Sequence, residues 1–126
     1  MRVEAMCRPA ALLLAALLVN ACEPSTATPS SSLNGDVQAG RKVVEQVECG
    51  VCHRIPGIPG AHGIVGPPLK EFGRRAYIAG LFPNRLDRLA HWVRNAPELA
   101  PGTAMPAMPI NEREARDVAA FLHSLH

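Results

Sequence analysis

The chain has 126 residues, 13 Lys and Arg against 11 Asp and Glu, and a formal net charge of +2. That length holds one domain, and so even a balance excludes a nucleic-acid-binding or polybasic membrane-binding surface. Only five residues are aromatic, Phe72, Tyr77, Phe82, Trp92 and Phe121, a thin supply for a core of this size.

Residues 1–21 read as a secretory signal peptide. Arg2 and Arg8 precede an apolar run over 10–19 that is too short to cross a bilayer as a helix. The run ends in Val19-Asn20-Ala21-Cys22, which resembles a bacterial lipobox, whose cysteine is diacylated and becomes the mature N-terminus. The competing reading is ordinary cleavage nearby, with Cys22 left as a thiol; Cys7 is removed in both. Residues 22–35 are rich in Ser, Thr, Pro and Ala without apolar periodicity, the composition of a flexible tether. The folded domain is therefore expected over 36–126, lipid-anchored through Cys22 on the periplasmic side of a bacterial membrane.

Asp36 is placed to cap a helix whose inner positions, Val37, Gly40, Val43, Val44 and Val47, recur at 3.6-residue spacing. A mid-helix glycine costs about 1 kcal/mol against alanine, and its usual reason is close approach by another element. Next comes Cys49-Gly50-Val51-Cys52-His53, the C-x-x-C-H pattern of c-type haem attachment. Two thiols three residues apart can add to the vinyl groups on one porphyrin edge, and the following imidazole then reaches the iron. A thioredoxin-like redox pair would need a βαβ context, a zinc site a second ligand pair, and a Cys49–Cys52 disulfide would leave His53 without a role. A buried macrocycle also supplies the apolar area that the five aromatics do not.

Residues 54–68 hold too many Gly and Pro for regular structure. They are expected to wrap the His53 side of the haem, with the Pro67 carbonyl accepting from the imidazole Nδ1–H and Leu69 packing on the ring. His62 reads as a solvated loop histidine. A short helical turn over 69–72, closed by Gly73, leads to Arg74 and Arg75; Arg74 is assigned to the haem propionates, with Tyr77 or Trp92 as a neutral donor. Asn84 is expected to cap a helix over 85–95 that Pro97 ends, with Leu86, Leu89, Ala90 and Val93 inward. A proline-rich loop then carries Met105 and Met108. Asn111 and Glu114 start the last helix as a capping box, with Ala115, Val118, Ala119, Phe121 and Leu122 inward. His123 and His126 suit the negative end of its dipole.

Four segments in order resemble the class I cytochromes c: Gly35-Asp36-Val37 with Gly40; Cys49-x-x-Cys52-His53; Gly66-Pro67-x-Leu69 with Phe72-Gly73-Arg74; and Pro101-Gly102-Thr103-Ala104-Met105 before a helix ending Asp117-Val-Ala-Ala-Phe-Leu122. The resemblance implies an all-α fold whose first and last helices cross, with Gly40 against Phe121 there. It implies one haem c per chain on Cys49 and Cys52, with His53 and Met105 as iron ligands; Met108 reads as an apolar plug at the loop exit, because methionine fills irregular gaps. The segment 74–80 with Trp92 is also similar to small haem domains associated with terminal oxidases. Trp92 stands where mitochondrial relatives carry a tyrosine.

The expected function is one-electron transfer rather than enzymatic catalysis. The protein would be a monomer or a subunit of a complex, passing electrons to redox protein partners such as a membrane oxidase. A fixed subunit of an oxidase or dehydrogenase is one alternative. An open-site peroxidase or gas-binding haem is the other, and Pro-Gly-Thr-Ala-Met argues against it.

Overall fold

The structure, a computed structural model, describes residues 34–126. The expected signal peptide, Cys22 and the tether up to residue 33 lie outside the described residues. The order is α1 (Val37–Gln46), a 3₁₀ turn at Cys49–Val51, a second at Phe72–Arg74, a hairpin of β1 (Tyr77–Ile78) and β2 (Phe82–Pro83), α2 (Leu86–Leu99) and α3 (Glu112–His123). No helix among the described residues is long and apolar enough to cross a membrane.

Asp36 caps α1, its carboxylate accepting from the Ala39 N–H at 2.8 Å. Val43 and Val44 are buried, while Val37 stays exposed, so the inward stripe begins at Gly40. A Cβ on Gly40 would lie 1.9 Å from the Asp117 carbonyl oxygen and 2.8 Å from the Val118 nitrogen. The helix crossing expected at Gly40 is therefore made against the α3 backbone at Asp117 and Val118. Phe121, expected as its partner, is buried one turn further on. Asp117, 6% exposed, accepts from the Asp36 N–H at 2.7 Å and ties the start of α1 to the middle of α3.

α3 opens on the capping box expected of it. Asn111 Oδ1 accepts from Arg113 and Glu114 at 2.9 and 3.0 Å, and Glu114 accepts from the Asn111 N–H at 2.8 Å. Its buried face runs from Ala115 through Val118 and Ala119 to Leu122, and it packs on α1 and α2.

Three local expectations change. Gly73 lies inside a 3₁₀ turn instead of closing a turn over 69–72. Arg85, not Asn84, is the N-cap of α2; the Asn84 amide is engaged by carbonyls elsewhere. Pro97 does not end α2. The chain leaves helical geometry at Asn95 (φ −149, ψ 67) and restarts with Pro97 in the next turn, where a missing N–H costs little because first-turn donors have no intrahelical partner. The small antiparallel hairpin, Tyr77 opposite Pro83 and Ile78 opposite Phe82, is an addition to a helical fold. Ala79 and Gly80 turn it at φ +50 and +72.

Candidate functional site

Between the helices and the irregular segments lies a cavity of about 1000 Å³, at the upper end of the range for small-molecule and cofactor sites. Val44, Leu89, Val93, Val118 and Leu122 form its helical floor, and Leu69, Phe72, Ile78 and Trp92 close its sides. Glu48 and Arg75 are the carboxylate and guanidinium groups among its lining residues.

Cys49, Cys52 and His53 all line this cavity. The 3₁₀ turn at Cys49–Val51, continued by the Cys52 and His53 N–H groups donating to the Cys49 carbonyl at 3.3 and 3.0 Å, puts the three side chains on one wall. The cysteines are not disulfide-bonded, and burial pushes the Cys49 thiol pKa up, with Cys52 beside it adding to the rise. His53 Nδ1 is 2.7 Å from the Pro67 carbonyl oxygen. A carbonyl only accepts, so Nδ1 carries the hydrogen and Nε2 keeps the lone pair a metal needs. Gly66 makes this possible, since a Cβ there would lie 2.3 Å from His53 Cε1 and 2.6 Å from Nδ1. Only a glycine lets the ring lie against the loop while the next carbonyl meets it.

Met105 and Met108, both half-buried, line the cavity from the loop after α2. The loop is fastened at the α2 kink: Met108 N–H donates to the Arg94 carbonyl at 3.0 Å, and Asn95 bridges Ala107. The Met105 N–H lies 3.3 Å from Thr103 Oγ1. Cysteine thiols and an imidazole on one wall, thioethers on another and apolar surface between them are a donor set and a cradle that suit a covalently attached haem.

The other expected residues divide. Pro67, Leu69, Tyr77 and Trp92 line the cavity, Trp92 packed 6.2 Å from the Phe82 ring. Arg74 does not line it. Its guanidinium is exposed and paired with Glu71 at 3.8 Å, three residues back on the same turn. Arg75 is the arginine on the wall, 5.2 Å over the Phe72 ring and donating to the Pro68 and Lys70 carbonyls. The i, i+3 spacing of Glu71 and Arg74 was the signal available for this. His62 is exposed, bridges Arg54 and is absent from the lining. His123, expected only to complement a dipole, bonds Asn84 across 39 residues; nothing local in the sequence announces that pair.

Over 87 residues, 68% of this chain, the sequence is 37% identical to cytochrome c oxidase subunit 2 of Alkalihalophilus pseudofirmus, and the match spans a quarter of that protein's length. Among solved structures, the fold is similar to SoxXA from P. pantotrophus (TM-score 0.58, 24% identity, covering 72% of this chain and 82% of that one). It is also similar to cytochrome cH from Methylobacterium extorquens (0.51, 26%, 70% and 97%) and to the c-type cytochrome SorU from Sinorhizobium meliloti (0.50, 26%, 71% and 88%). The sequence pattern of the cytochrome c family matches residues 37–126. This chain belongs to the cytochrome c family, with a class I fold and the covalently bound haem c that the family carries.

Proposed function

We propose that the protein is a one-electron carrier rather than an enzyme, holding one haem c per chain between His53 and Met105. The observation that carries this reading is a single cavity with Cys49, Cys52 and His53 on one wall and a methionine loop on another. Cys49 and Cys52 would form the thioether links, and His53, its Nδ1–H held by Pro67, would present Nε2. Arg75, the guanidinium in the cavity lining, would meet the haem carboxylates. Haem iron with two protein ligands changes charge by one electron with little rearrangement, and a methionine ligand keeps its potential relatively high.

Met105 is preferred over Met108 because the turn at Pro101-Gly102 leads directly to it, and Thr103 faces its N–H. Met105→Ala should abolish the weak near-infrared Met-to-iron band and lower the potential, while Met108→Ala should retain both. The opposite pattern would move the ligand to Met108. Slow carbon monoxide binding to the reduced protein is expected; prompt binding would favour the open-site, gas-binding or peroxidase reading.

The setting we propose is the periplasmic side of a bacterial membrane, with residues 1–21 removed, Cys22 diacylated and residues 22–35 as tether. Intact mass of the membrane-extracted protein checks this, and a start elsewhere without acyl mass would overturn it. A terminal oxidase is the proposed electron acceptor, supported by the 37% identity to an oxidase subunit. The same identity favours a second reading, a fixed haem subunit of an oxidase or dehydrogenase complex, which copurification from native membranes separates from a mobile carrier.

A further inference from the structure

One polar cluster lies behind the cavity wall and joins elements distant in sequence. Asn84 Nδ2 donates to the Phe72 carbonyl at 3.1 Å and to the Arg75 carbonyl at 3.0 Å. Its backbone N–H donates to Ala76 O at 3.0 Å. Two carbonyls use both amide hydrogens, so Oδ1 is left to face His123, whose Nε2 lies 2.9 Å away and must carry the hydrogen. Burial, and His126 nearby, hold the His123 pKa down, so it is a neutral Nε2–H donor. The same end of α3 grips this segment again, Gly73 N–H donating to the Leu125 carbonyl at 2.9 Å.

Arg75, whose carbonyl Asn84 holds, sends its guanidinium over the Phe72 ring and donates to the Pro68 carbonyl. Pro68 follows Pro67, whose carbonyl accepts from His53 Nδ1. Neither proline has an N–H with which to anchor this stretch; the flanking Gly66 and Leu69 N–H groups donate to the Cys52 and Arg54 carbonyls, both at 2.8 Å, and the arginine on the Pro68 carbonyl is the side chain that adds to them. A continuous line of bonds thus runs from the end of α3 through Asn84, Arg75 and the two prolines to the imidazole. Partners of this outer kind fix a ligating histidine's tautomer and orientation.

We infer that Asn84, oriented by His123, is a positioning residue for His53 and acts through Arg75. The inference rests on His53 being the haem ligand. The test uses the haem-loaded protein and two readouts: solvent exchange of the His53 Nδ1 proton by NMR of the reduced form, and the midpoint potential. Asn84→Ala and His123→Phe should speed that exchange about tenfold, the weight of one hydrogen bond of roughly 1.4 kcal/mol, and shift the potential. His123→Gln, whose amide can replace the Nε2–H donor, should match wild type in both. In an Arg75→Leu background, Asn84→Ala should add no further change.

Unchanged exchange and potential in Asn84→Ala and His123→Phe would overturn the inference, leaving the cluster a tie that affects only melting. A full-sized Asn84→Ala effect without Arg75 would overturn the route. If Asn84→Ala does not load haem, the contrast between His123→Gln and His123→Phe decides. Failure of the haem reading itself would show separately, as a wild-type protein whose mass carries no haem.

Discussion

Where α1 crosses α3, backbone meets backbone, with no room for even a methyl group between Gly40 and the Asp117 carbonyl. Around the cavity wall, residues 53–85, regular structure is limited to a 3₁₀ turn and a short hairpin, and the backbone bonds are joined by side chains on carbonyls: His53 on Pro67, Arg75 on Pro68 and Lys70, Asn84 on Phe72 and Arg75. The crossing depends first on shape, with the Asp117 carboxylate on the Asp36 N–H as a tie beside it. The wall depends on donors of fixed tautomer and charge, so a small chemical change there can leave the fold standing and still alter the site. Stability and site geometry are thereby lodged in different regions.

The largest expected effect is at the crossing. Gly40→Val forces two helix backbones apart and should cost about 3 kcal/mol, the upper end for overpacking, lowering the melting temperature by on the order of 10 °C. An unchanged melting curve would break the comparison at its first term. At the wall, Gly66→Ala puts a methyl 2.3 Å from His53 Cε1. We expect roughly 1 to 3 kcal/mol from the clash and the disturbed Pro67 bond. Unlike Gly40→Val, it should also alter the haem absorption spectrum.

Asn111→Ala removes the α3 capping box and should cost about 1 kcal/mol, read by denaturant midpoint, with the spectrum untouched. The smallest effect is the pH dependence of the His123 tie. Burial lowers its folded pKa, so the unfolded chain binds the proton first. Stability is full above the ordinary histidine range, near 6.5, and falls as pH drops through that value toward the lower folded one. Melting temperature against pH should show this slope in wild type and a shallower one in His123→Gln, while Gly40→Val keeps the wild-type slope.

Parts of the wall were legible because their signals are local. Cys49, Cys52 and His53 sit within five residues and line the cavity, as do Pro67, Leu69, Tyr77 and Trp92. Arg74, assigned to the haem propionates, lies outside the cavity lining and pairs with Glu71 three residues back, while Arg75 lines the cavity. Asn84 looked like a helix cap because capping residues and loop-tying residues are the same short amides. Its carbonyl partners lie 9 and 12 residues away and its histidine 39, beyond any local pattern.

By itself the sequence determined the elements whose cause is periodic or adjacent: α1 from Asp36 and the valines, α3 from its capping box and inward face, and the cofactor class from C-x-x-C-H. Helix periodicity and a covalent attachment motif are complete within a few turns of chain, so no distant residue is needed to read them. Tertiary structure alone decided that Gly40 meets the Asp117 backbone, that Asp117 receives the Asp36 N–H, that Met108 lines the cavity alongside Met105, and that Asn84 joins His123 to the wall. Each of these is a meeting between segments that only the assembled packing brings within bonding distance, and no residue along the way carries a mark of its eventual partner.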